Sequence, residues 1–180
     1  HITFNTASNR FLFLVRYFPV AGGKWGTGLG TSDIHGNIYV LRDYTYASHY
    51  YWRDENTILI HADAGEGPAL YELTDQSQKY KIFDRAFFNQ DIHCSYSPDR
   101  RFIIGDGYPD KEGYRPLVLY NVAKEKGWLI GRFLSAPVNF IDIRSDLHTR
   151  WSHSCHLISI DSIHEGFRAV YTMDISAYMQ

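Results

Sequence analysis

The chain has little of what several protein classes require. A basic excess is missing: eighteen Lys and Arg face twenty Asp and Glu, for a formal charge of −2. A surface that tracks phosphates needs a clear basic surplus, so nucleic acid is excluded as a partner held by bulk charge. Cysteine is scarce. Cys94 and Cys155 make no disulfide framework and show no metal-type pairing. They read as buried thiols, with a single bridge as the alternative. No apolar run approaches the ~20 residues that span a bilayer. The densest, Phe11-Leu12-Phe13-Leu14-Val15, is ended by Arg16, so no membrane partner is expected. No signal peptide is visible. The chain opens with His1 rather than Met, which reads as a processed or excised piece and leaves the compartment illegible. Gly-x-Ser-x-Gly, phosphate-loop, His-Glu-x-x-His and dinucleotide motifs are all absent, and Gly28-Leu29-Gly30 and Gly65-Glu66-Gly67 are too short to count.

Two residue classes are abundant instead. Aromatics reach 16%, with fourteen Tyr, eleven Phe and four Trp, and there are nine histidines. Aromatic side chains suit pleated, half-buried surfaces, which tilts the expectation towards β-sheet. The proportions, 44% hydrophobic and 21% charged, are those of a globular chain. The length of 180 residues allows one domain or part of a larger one.

The order of these residues shows a repeat. His1, His49, His93 and His148 each precede an aromatic three residues later: Phe4, Trp52, Tyr96 and Trp151. A polar turn follows, then an apolar run. Ser97-Pro98-Asp99-Arg100 and Arg53-Asp54-Glu55-Asn56 carry the turn chemistry. Further on, Glu66-Gly67, Glu112-Gly113 and Glu165-Gly166 sit at matching places, each ahead of another apolar strand. Glycine there supplies the positive φ of a hairpin. In the first repeat, His35-Gly36 and Asn37 to Leu41 take the corresponding late position, and glycine-rich Pro19 to Gly30 reads as a longer loop. Short strands recurring every forty to fifty residues are the pattern of a β-propeller. The expectation is an all-β fold of about four antiparallel blades in one domain, 1–180. An unclosed fan exposes sheet edges, so it implies a tight four-blade closure, a homo-oligomer, or further blades upstream.

The first strand of a propeller blade lies innermost, so the four repeat histidines would form a ring around the channel. Two readings stand. Such a histidine can hydrogen-bond a neighbouring blade. Converging neutral imidazoles also suit a transition metal. Asp146, two residues before His148, would add an oxygen ligand, or else be a solvated carboxylate at a strand entry. Trp52, Tyr96 and Trp151 read as packing between blades, with sugar stacking as the alternative for any that face the channel. His164 reads as a turn residue. His35, His61, His153 and His156 receive no role.

Several segments are similar to the blades of oligogalacturonate lyase-like propellers, within the WD40-like group that also includes TolB. They are Asp91 to Asp99, Gly107-Tyr108-Pro109-Asp110, Arg115 to Tyr120, Asp146 to Ser152, and Asp161 to Gly166. The resemblance covers nearly the whole chain. It implies part of a seven-bladed propeller with a divalent metal, manganese, at the channel mouth. His93 and His148 would be ligands, with Asp146 standing where the lyases have a further histidine. No glutamine ligand has a match near Ile143-Arg144-Ser145. His49 would be catalytic or substrate-binding, and Lys24 is a second candidate base in the stretch where the family has an arginine. His1, Trp52 and Arg150 complete the implied surroundings. The implied reaction is β-elimination on a uronic-acid oligosaccharide, in a bacterial cytoplasm or periplasm. The rival readings are a non-catalytic propeller that binds glycan or protein, and a metal enzyme of another reaction. Fold alone does not separate these.

Overall fold

A computed structural model describes residues 2–18, 21, 23, 26–135 and 144–179. The described residues form four antiparallel sheets in which consecutive strands pair. The first sheet holds β1 (Thr3–Phe4), β2 (Arg10–Tyr17), β3 (Gly26–Asp33) and β4 (Ile38–Thr45). The second holds β5 (Ala47–Trp52), β6 (Thr57–Asp63), β7 (Pro68–Thr74) and β8 (Tyr80–Ile82). The third holds β9 (Ile92–Tyr96), β10 (Phe102–Gly107), β11 (Tyr114–Asn121) and β12 (Lys126–Leu134). The fourth holds β13 (Arg150–Trp151), β14 (Leu157–Ser162) and β15 (Ala169–Asp174), followed by a 3₁₀ turn at Ser176–Tyr178. The chain divides into two compact units, His1–Asp91 and Ile92–Gln180, with two sheets in each. No helix among the described residues is long and apolar enough to cross a membrane.

The turns follow the local chemistry. The first hairpin of every sheet is closed by a backbone bond: Asn5 to Arg10, Arg53 to Thr57, Ser97 to Phe102 and Ser152 to Leu157. Three of these loops turn through a left-handed residue, Ser8, Arg100 or Cys155, at φ 57°, 62° and 64°. The Arg53 loop is one residue shorter and needs none. The expected glycines close the second hairpins, with φ 85°, 87° and 88° at Gly67, Gly113 and Gly166. Asp63 Oδ1 accepts from the Gly65 and Gly67 N–H groups, and Asp110 Oδ1 accepts from Glu112 and Tyr114.

Three expectations are corrected. Pro19 to Gly30 is not simply a long loop, because Gly26 to Gly30 belongs to β3. Its alternate glycines make room for rings. A Cβ on Gly30 would meet Phe13 Cζ at 2.8 Å, and one on Gly28 would meet Tyr44 Cε1 at 3.3 Å. Aromatic cover over glycine backbone therefore replaces the β-branched pattern expected of a strand. Second, the His35-Gly36 turn joins the third strand to the fourth, so Ile38 to Leu41 begins a fourth strand. Asp33 Oδ1 accepts from His35 and Asn37 there. The same aspartate turn serves any hairpin and does not say which one it closes. Third, His148 lies ahead of the short β13 at φ 43°, whereas His49 and His93 lie within β5 and β9.

Each unit has its own core. In the N-terminal unit, Leu12, Leu29 and Leu41 pack against Trp52, Ile58, Ile60, Tyr71 and Leu73. In the C-terminal unit, Phe102, Ile104, Leu117 and Leu119 pack against Leu147, Ile158 and Ile160. The repeat tryptophans tie neighbouring sheets. Trp52 Nε1 donates to the Thr3 carbonyl at 2.9 Å, and Trp151 Nε1 donates to the Ser95 carbonyl at 3.4 Å. Both indoles thus reach the residue two places after the preceding repeat histidine.

Candidate functional site

The C-terminal unit brings three of the expected ligands together. One donor atom each from His93, Asp146 and His148 lie within 4.8 Å of one another. The two imidazole centroids are 5.2 Å apart. β9 presents His93, and the irregular segment before β13 presents His148. Asp146 is 4% exposed, which corrects the picture of a solvated strand-entry carboxylate.

Both imidazoles are backed by carboxylates that sequence reasoning missed. His93 Nδ1 is 3.5 Å from Asp106 Oδ2, and His148 Nδ1 is 3.7 Å from Asp161 Oδ2. At these separations the carboxylates act on the rings by charge and not by a well-formed hydrogen bond. His148 Nε2 is 4.0 Å from Asp146 Oδ2. Asp106 is 1% exposed, and its Oδ2 also accepts from the Leu147 N–H. Its Oδ1 is buried without a hydrogen-bond partner among the described residues. Asp106 and Asp161 hold the same place, fifth in the second strand of their sheets. The signal was legible as an aspartate thirteen residues after the repeat histidine in both repeats.

Arginines surround this group. Arg115 is 1% exposed. Its Nη1 donates to the Gly107 carbonyl, its Nε donates to Ser135 Oγ, and its Nη2 lies 2.5 Å from Asp146 Oδ1. That last contact is ionic rather than well aligned, and Asp146 Oδ1 has no hydrogen-bond donor. Arg144 Nη2 lies 2.7 Å from Asp146 Oδ2. Arg150 grips both oxygens of Asp161 at 3.2 and 3.0 Å, which holds that carboxyl below the usual range. Two imidazoles and an incompletely satisfied carboxylate at this spacing fit a divalent transition metal. Ions such as manganese, zinc or iron accept this donor set.

The N-terminal unit holds a different cluster. His49 Nδ1 is 3.1 Å from Asp91 Oδ1. His61, which the sequence left without a role, is 5% exposed and lies fifth in β6, matching Asp106 and Asp161. Its Nδ1 is 3.2 Å from the Tyr46 hydroxyl and 3.6 Å from Asp91 Oδ1. Burial pushes the His61 imidazole below its ordinary value, and the nearby Asp91 charge only partly offsets this. Burial also pushes the Asp91 carboxyl up. Hydrogen bonds from His49 and Ser48 outweigh it and leave that group below its ordinary value.

The other expected residues divide. Trp52 is 3% exposed, so its ring has no open face for a sugar. Arg150 is half-exposed on Asp161. His1 and Lys24 lie outside the described residues. His164 stands in a turn, its Nδ1 2.8 Å from Ser162 Oγ. Cys94 and Cys155 form no disulfide, and Cys155 is buried.

Four meandering sheets built on a common repeat define the class, a β-propeller. Solved structures agree. The chain is similar to TolB from Acinetobacter baumannii, with TM-score 0.66 and 16% identity over 93% of this chain and 39% of that one. It is similar to an oligogalacturonate lyase in complex with manganese, with TM-score 0.64 and 12% identity over 98% of this chain and 50% of that one. It is also similar to an oligogalacturonate lyase from Vibrio parahaemolyticus, with TM-score 0.53 and 11% identity over 97% and 65%. These identities establish the fold alone. The chain spans half or less of the first two proteins' length. No protein-family profile matches it, and no curated protein matches it in sequence.

Proposed function

We propose that the chain is the site-bearing part of a metal-dependent lyase that cleaves uronic-acid oligosaccharides by β-elimination. The observation that carries this reading is the convergence of His93, Asp146 and His148 within 4.8 Å. A manganese-bound oligogalacturonate lyase among the similar structures supports it. His93, His148 and Asp146 would hold the ion. When bound, a divalent metal binds the substrate carboxylate and stabilises charge that develops beside it. Asp106 and Asp161 add negative charge beside the two imidazoles. Arg144 and Arg150 offset the charges of Asp146 and Asp161. The reaction removes the proton on the carbon next to the carboxylate. That electron pair becomes a carbon–carbon double bond, the bond to the 4-linked oxygen breaks, and the departing sugar takes up a proton. The base is a histidine or lysine, for which His49 and Lys24 are the named candidates.

The test is incubation of the manganese-loaded protein with oligogalacturonides while ultraviolet absorbance of unsaturated product is followed. Product that disappears in His93→Ala and His148→Ala supports the reading. Silence towards every uronide overturns it. A second reading, a non-catalytic propeller that binds acidic glycan, is favoured by the two arginines already on Asp146. Glycan retention with no metal and no product would select it.

A further inference from the structure

We infer that Asp91 is the positioning residue for His49, holding its proton on Nδ1 and presenting Nε2 as a proton acceptor. The bond geometry sets this direction. Asp91 Oδ1 lies 3.1 Å from His49 Nδ1, within hydrogen-bond reach. An ionised carboxylate only accepts, so the shared proton sits on the imidazole. A neutral ring with Nδ1–H carries its lone pair on Nε2.

The surroundings favour His49 over other partners for that oxygen. Its side chain is 28% exposed and that of Asp91 only 12%, so a largely covered carboxylate serves a reachable ring. The bond therefore runs where solvent screens it weakly. His61 approaches the same oxygen only to 3.6 Å, beyond a hydrogen bond, and its Nδ1 is closer to the Tyr46 hydroxyl at 3.2 Å. Ser48 Oγ stands at 3.5 Å from His49 Nδ1, a weaker contact than the carboxylate. A carboxylate fixing an imidazole tautomer is what makes a histidine a directed base in unrelated hydrolases. The inference rests on the lyase reading for its substrate, an acidic carbon–hydrogen bond beside a carboxylate, and on the N-terminal unit alone for its geometry.

The experiment has two arms. Nitrogen NMR of histidine-labelled protein reads the tautomer directly. His49 is expected as Nδ1–H in the wild type. Asp91→Asn, whose amide offers an N–H to Nδ1, is expected to shift it towards Nε2–H. In the elimination assay, Asp91→Asn is expected to lose kcat by about a hundredfold or more, the size of a general-base contribution. Its KM should stay within about twofold, as for an interaction made only in the transition state. Metal content should not change, and Asp91→Glu should regain part of the loss. An Nε2–H tautomer in the wild type overturns the inference. So does an unchanged tautomer and kcat in Asp91→Asn. A wild type without elimination activity overturns the lyase reading instead, and the tautomer arm then decides the role of Asp91 by itself.

Discussion

The two units carry the same strand frame but opposite charge arrangements. In the N-terminal unit one carboxylate, Asp91, bonds His49 and lies 3.6 Å from His61, the imidazole that stands fifth in the second strand. In the C-terminal unit that place is taken by Asp106 and Asp161, each behind an imidazole, while Asp146 is held by Arg115 and Arg144. We propose that the first arrangement directs a proton and that the second gathers donors for a cation, balanced by arginine. Among the described residues only the second forms a group of three with chelating spacing. The fifth place of the second strand is thus common to both units, and the side chain that fills it differs between them.

The largest expected break in this contrast is Arg115→Met. It leaves Asp146 buried without its closest cation, and breaking a buried pair costs about 3–5 kcal/mol. Urea unfolding should show this, and the double variant Arg115→Met, Asp146→Leu should recover most of it. Recovery failing would mean that the guanidinium's bonds to Gly107 and Ser135 dominate.

A smaller effect is expected from Gly30→Ala in the N-terminal unit. The new methyl meets the Phe13 ring at 2.8 Å, and overpacking costs about 1–3 kcal/mol. Thermal unfolding should shift down, and Phe13→Leu in the same chain should relieve it.

Next comes a pH effect confined to the His61 cluster. Its folded value lies below the ordinary 6.5 because burial disfavours the charged ring. The unfolded chain then binds the proton first, so stability is constant above about 6.5 and falls as pH drops below it. His61→Gln should flatten stability against pH in that window. Asp91 adds a separate loss that begins only near its ordinary 3.8, since its folded value is lowered. A slope that survives His61→Gln would assign the acid sensitivity elsewhere.

The smallest effect is expected at the exposed pair Arg132 and Asp110. Solvent screens such surface pairs, so Arg132→Gln should move the urea midpoint only slightly.

The repeat histidines, the aromatics three residues on and the glutamate–glycine turns were all legible, because each is a local pattern read once per repeat. Trp52 and Trp151 show why that pattern holds, since each indole needs a carbonyl of the preceding sheet. β3 was illegible because its glycines are explained only by Phe13 and Tyr44 lying over them from neighbouring strands. Asp106 and Asp161 carried a readable spacing, obscured by the shorter Arg53 turn that brings His61 to twelve residues instead of thirteen. Arg115 carried none. It is a third-strand residue whose burial follows from Asp146, Ser135 and Gly107, all distant in the chain.

We propose that the C-terminal cluster chelates and the N-terminal cluster does not. Calorimetric titration with manganese tests this on the wild type, His93→Ala, His148→Ala and His49→Ala. One ion per chain is expected in the wild type and in His49→Ala, with loss of binding in the other two. Binding that survives both His93→Ala and His148→Ala, or that disappears with His49→Ala alone, would contradict it.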